Sequence, residues 1–212
     1  MRTPLLVASL AIGLGLSGQA RATSLYKLSN AQLVDASELI VRGTVTEVWT
    51  EKDERGVWTH AQVEVQRVLK GDPSTELIVL EQMGGIWSSE ATLVEGVARF
   101  DVGEEAYFFV EHLNSNRSVP VGMFQGKFNV LIDPYTREEI VHRYHVPVRM
   151  DYDHRFLPLP AEADRVEIYD FEDQIRERML LGWDGNPIPG VSNEKLRRIS
   201  PAQTIDLEGA SR

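Results

Sequence analysis

The hydrophobic and polar positions of this chain change their period several times, and those changes divide it. Residues 5–16 (LLVASLAIGLGL) form an unbroken apolar run. Residues 39–50 (LIVRGTVTEVWT) open apolar and settle into alternation, with Val41, Gly43 and Val45 on one side and Arg42, Thr44 and Thr46 on the other. Successive side chains leave a strand on opposite faces, so this alternation predicts a strand buried on one side. Residues 57–70 (VWTHAQVEVQRVLK) repeat the pattern, and the charged EKDERG segment between the two ends in Gly. The pair predicts a long antiparallel hairpin. Gly71-Asp72-Pro73 ends it, because Pro has no N–H to give to a ladder. Further strands are predicted at residues 77–80, 106–110, 119–130 and 139–148, with Gly122 and Gly126 marking bulges or sharp bends in the third.

Helical spacing occurs twice. Ser29 and Gln32 stand at capping-box distance, with Leu28 and Leu33 placed to staple the turn, which predicts one or two helical turns. Residues 168–181 (IYDFEDQIRERMLL) place Phe171, Ile175 and Met179 on one face and Glu172, Arg176 and Arg178 outside, a helix packed on the sheet. The resulting organisation is a signal peptide (1–22), a β-barrel domain (23–157), a linker and C-terminal helix (158–181) and a flexible tail (182–212). Short strands with Gly-rich turns predict a mostly β fold, a small barrel of five to six strands with one or two peripheral helices. A twisted β-sandwich is the alternative.

The first apolar run changes the picture of where the protein works. Met1-Arg2-Thr3-Pro4 is basic, the run is too short to span a bilayer, and Ala20-Arg21-Ala22 supplies the small-x-small pattern of a signal-peptidase site. Cleavage is expected after Ala22, leaving a secreted or periplasmic protein with no membrane insertion. No Cys follows the run to carry a lipid anchor. The full chain has 22 basic and 32 acidic residues. Loss of Arg2 and Arg21 leaves 20 against 32, a net charge of −12. Such a surface repels nucleic acid, which needs a basic footprint, and anionic membranes. It favours a protein partner, met through charge steering where that partner is basic. The absence of any Cys removes disulfides, thiol catalysis and thiolate metal sites, so a hydrophobic core alone must hold the fold.

Candidate chemistry is sparse. His142, His145 and His154 fall close together with Asp151 and Asp153 between them, a set from which a zinc site can be drawn. Residues three apart on a strand face opposite ways, however, so His142 and His145 reach one ion only across a bulge. An extracytoplasmic hydrolase using the His142–His154 region, with or without a metal ion, stands as the alternative function. Ser88-Ser89 does not form a nucleophile elbow, no phosphate-binding Gly loop occurs, and Asp151-Tyr152-Asp153 lacks the Gly and Glu of a calcium loop. No catalytic residue, metal ligand or cofactor is assigned. The segment Met83-Gly84-Gly85-Ile86-Trp87 is the candidate for partner binding, with Met83, Gly84, Gly85 and Trp87 as its residues. It sets large apolar side chains on a loop. Its structural alternative is that Trp87 closes one end of the core.

An ordered set of pieces carries a family resemblance. Residues 37–45 (SELIVRGTV), 63–65 (VEV), 68–71 (VLKG), 82–85 (QMGG), 100–105 (FDVGEE) and 122–128 (GMFQGKF) together resemble a group of uncharacterised exported bacterial proteins. Residues 37–45, 63–65 leading into 68–71, and 100–105, more distantly, resemble the netrin-like module of the tissue inhibitors of metalloproteinases. The resemblance covers about residues 33–130 and implies an OB-like, five-stranded barrel. Those inhibitors chelate the catalytic zinc through an N-terminal Cys. Here the expected mature start is Thr23 and there is no Cys, so the inhibitory mechanism does not carry over.

Overall fold

The computed structural model describes residues 26–94, 96–114, 117–143 and 165–201. Its longest feature is the hairpin read from the alternation: β1 (Leu39–Asp53) and β2 (Gly56–Lys70) run antiparallel with Val45 opposite Val63. Register shifts near Ile40, Arg42 and Val45 bend β1 strongly, as bulges do. That bend lets its first six residues also pair with β6 (Glu105–Asn114), from Leu39 opposite Val110 to Thr44 opposite Glu105. At Gly43 a Cβ would stand 2.5 Å from the Glu64 carbonyl, so only Gly permits the strands to approach there.

From β2 the sheet continues to β3 (Leu77–Met83), then across a parallel contact to β7 (Arg117–Pro120), and back to β6. The order β1-β2-β3-β7-β6-β1 closes a ring of five strands, an OB-like barrel. Strands β8 (Lys127–Ile132), β9 (Glu139–Arg143) and β10 (Arg165–Glu167) extend the sheet from β6. The small hairpin of β4 (Gly85–Trp87) and β5 (Glu90–Thr92) stands apart as a second sheet.

The continuous strand expected over residues 119–130 is in fact split. The chain leaves β7, makes a 3₁₀ turn at Met123–Gly126 and re-enters as β8. Gly122 is left-handed, and a Cβ at Gly126 would lie 2.6 Å from the Val121 carbonyl, so the two glycines mark the interruption.

Two cores lie on either side of the β1–β6 wall. Val41, Val45, Val63, Leu80, Ala106 and Phe108 fill the barrel. Tyr107 and Phe109 point the other way, onto Phe128 and the helical layer. Both faces of β6 are therefore covered, which is why its sequence reads as a continuous apolar run instead of alternating. The helical layer consists of α1 (Asn30–Ala36), α2 (Ile168–Leu181) and α3 (Asn193–Ile199). The capping box at α1 forms in both directions, Ser29 Oγ accepting from Gln32 N and Gln32 Oε1 from Ser29 N.

Two expectations about the end of the chain are corrected. Residues 182–201 are not a loose extension: Trp183, Ile188 and Leu196 are buried against α1 and α2, and Ser192 caps α3. Their apolar positions are too widely spaced to show a period in sequence, yet each reaches the core. Glu172 is buried, not outside, accepting from Tyr107 Oη at 2.7 Å and pairing with Arg67 at 2.8 Å and Arg176 at 2.7 Å. Arg178 likewise turns inward to the buried carboxylate of Asp35, which also accepts from Ser200 Oγ. The leader, the 158–164 linker and residues 202–212 lie outside the described residues. Among the described residues no helix is long and apolar enough to cross a membrane.

Candidate partner-binding end of the barrel

At Met83 the chain runs off the end of β3 and must turn sharply, and Gly84-Gly85 makes that turn. Both have positive φ, 100° and 139°. A side chain at Gly85 would set its Cβ 2.6 Å from Thr59 Oγ1 and 2.8 Å from Thr50 Cγ2. The bend lays β4 across the end of the β1–β2 hairpin, where backbone groups hold it. Gly84 N donates to Val57 O at 2.8 Å, Thr59 Oγ1 to Gly84 O at 2.7 Å, and Thr50 Oγ1 to Ile86 O at 2.8 Å. The chain returns as β5 with Trp87 opposite Glu90, and Lys52 reaches Glu90 at 2.6 Å.

Two strands of three residues are not stable alone. The β4–β5 hairpin keeps its place through these polar ties, and its large apolar side chains are left over. Relative exposure is 45% for Met83, 69% for Ile86, 42% for Trp87 and 92% for Leu93. Trp87 therefore does not close the core. Ile86 and Trp87 leave opposite faces of β4, so the hairpin is apolar on both sides.

Beside Met83 the barrel wall is open. Among the described residues the backbones of β3 and β7 pair at Leu80 opposite Ser118 alone, and a groove of about 440 Å³ lies beside them, lined by residues from both. Met83, Leu113, Val119, Met123 and Val191 contribute its apolar lining. At its edge the guanidinium groups of Arg55 and Arg117 each stand 4.6 Å from a Trp58 ring centroid. The Trp58 indole N–H donates to Asp53 Oδ1 at 3.1 Å. Arg117 Nε donates to the buried Glu81 at 2.8 Å, and Arg55 is 3.6 Å from the same carboxylate. The hydrogen bond from Arg55 holds the Asp53 carboxyl below its ordinary range, so it stays ionised near neutrality. The cation–π contacts to Trp58 and the carboxylates of Asp53 and Glu81 join these side chains into one network at the groove's edge.

Of the residues singled out in sequence, Met83 lines the groove and Trp87 stands on the hairpin, while Gly84 and Gly85 set the geometry that presents them. Trp58, Arg55, Glu81, Arg117, Leu93 and Leu113 were not legible there. They come from four strands and two loops, and no spacing links them. His142 sits in β9, opposite Asn129 and Arg165, whereas His145, His154, Asp151 and Asp153 lie outside the described residues. His60 stacks on Trp49, and His112 bonds to Ser118. Among the described residues no three His, Asp or Glu side chains gather as a metal ion requires. Comparison with protein-family models finds no match to the chain, and comparison with curated proteins finds none either.

Proposed function

We propose that the protein is an exported binding module that holds a segment of another protein at the Met83–Trp87 end of its barrel and performs no catalysis itself. The observation that carries this reading is the placement of Met83, Ile86, Trp87 and Leu93. Ile86 and Trp87 are exposed on a hairpin tied down by the Thr50 and Thr59 hydroxyls, Met83 and Leu93 are exposed at its two ends, and Met83 also lines the apolar groove. Apolar surface gathered in this way marks interaction sites more often than surface scattered singly. A rigid barrel presenting such a hairpin also suits recognition, since little ordering is required on binding. Export is supported by the leader pattern of residues 1–22, and the acidic balance argues against nucleic acid as the partner.

Photo-cross-linking in the cells that make the protein tests this. With the reactive side chain at position 87, one adduct of defined mass is expected, and it disappears when Met83→Ser and Leu93→Ser are added. The same reagent at Tyr135, which is more exposed than Trp87 but lies on the β8–β9 turn, is expected to give none. Identical adducts from 87 and 135, or none from 87, would contradict the proposal.

A further inference from the structure

Resting on that reading, we infer the chemistry of the partner: an extended polypeptide segment that alternates large apolar side chains with Lys or Arg. The rim of the binding end carries more negative than positive charge. Glu51, Asp53, Glu54, Glu81 and Glu90 stand there against Lys52, Arg55 and Arg117. All three cations are already committed, Lys52 to Glu90, Arg55 to Asp53 and Glu81, and Arg117 to Glu81. Glu54, at the exposed tip of the β1–β2 hairpin, has no ion-pair partner among the described residues, and Glu51 accepts from the neutral Trp49 indole N–H at 3.1 Å and lies 3.7 Å from His60, with no Lys or Arg beside it among the described residues. The unspent charge around the apolar surface is thus carboxylate, and the whole chain adds to it with a net charge of −10.

An apolar patch inside such a rim selects by two requirements at once. The partner must supply hydrophobic side chains to the groove and to Ile86, Trp87 and Leu93, and it must carry positive charge to face the rim. A strand that alternates Leu-like and Lys-like residues meets both, since its apolar side chains all leave one face while the long, flexible Lys or Arg stems leave the other and can bend back to the rim. The groove's volume of about 440 Å³ accepts several such side chains. An anionic membrane is disfavoured because it would meet the same carboxylates.

Titration calorimetry on the mature protein with defined peptides tests the inference. Three short capped peptides of equal length serve as probes, alternating Lys with Leu, Glu with Leu, and Lys with Ser. The Lys/Leu peptide is expected to bind about tenfold or more tighter than either of the others. Its affinity should fall as salt rises, and it should weaken in both Trp87→Ser and Leu93→Ser. Leu93 is almost fully exposed, so that second variant keeps the fold. Equal binding of the Glu/Leu peptide would overturn the charge preference and leave the surface reading intact. Equal binding of Lys/Ser would reduce the effect to general attraction and overturn the inference. Silence from both Leu-bearing peptides would overturn the surface reading with it. Binding to neutral phosphatidylcholine vesicles in their place would assign the surface to lipid and overturn the inference as well.

Discussion

Several ionisable side chains end up where their sequence positions give no sign of burial. Lys70 closes β2, and its ammonium is drawn inward to donate to Val34 O at 2.7 Å, the carbonyl near the end of α1. Burial pulls its pKa from 10.5 down to about 8, against the opposing pull of Asp35 and Glu38. The unfolded chain therefore holds this proton up to pH 10.5 while the folded chain releases it near 8. Stability gains from this group as pH rises through that window, and the cost of its buried charge is fully present below it. Urea unfolding of the parent and of Lys70→Met across that range checks the sign. The difference between them should move in the parent's favour by on the order of 2–3 kcal/mol as pH rises. Parallel curves would show that Lys70 is not buried as a cation. Asp35 and Glu172 went unread for a related reason. The partners that make their burial tolerable, Arg178 for one and Tyr107 and Arg67 for the other, come from 143, 65 and 105 residues away.

Strands whose two faces differ were legible with their orientation, a strand covered on both faces was legible as an element only, and the break within residues 119–130 was not legible. The β1–β2 hairpin follows from alternation because one face meets the barrel core and the other meets solvent. β6 could be placed but not oriented, since its neighbours on either face are equally apolar. The division of residues 119–130 was marked only by Gly122 and Gly126, and a glycine pair reads equally as a bulge or a full stop. Gly84-Gly85 at the candidate site reads as a break in the strand, and the structure makes it a corner held by three hydrogen bonds. Gly85→Ala should consequently disturb the hairpin more than the barrel. The φ of 139° and the contact with Thr59 Oγ1 disfavour any side chain, at a cost of about 1–3 kcal/mol. Hydrogen exchange should speed up over residues 84–92 and stay slow in β1 and β6. Unchanged exchange at the hairpin would mean that it is not held through this turn.

Across the whole molecule, the class and rough size of the barrel could be read from the sequence, whereas the closure of its ring could not. Closure depends on β1 pairing with both β2 and β6, and on one parallel contact between β3 and β7. Such pairings join residues far apart and leave no local period. The same closure creates the candidate site. Among the described residues a single backbone pairing at Leu80 and Ser118 joins β3 to β7 beside the groove, and the residues that line the opening meet only because the ring brings them there. Sequence therefore reached the loop with the exposed Trp but neither the groove nor the charged rim beside it. The two cores and the packed helices bury the apolar residues that hold the fold, and Met83, Ile86, Trp87 and Leu93 stay exposed outside them. Amide hydrogen exchange measures this most directly, comparing the protein purified alone with the protein isolated from cells in complex. The account predicts new protection over residues 83–93 and 113–119, with little change in α2 or at the β10 edge. Protection confined to α2 or β10, or none anywhere, would contradict it.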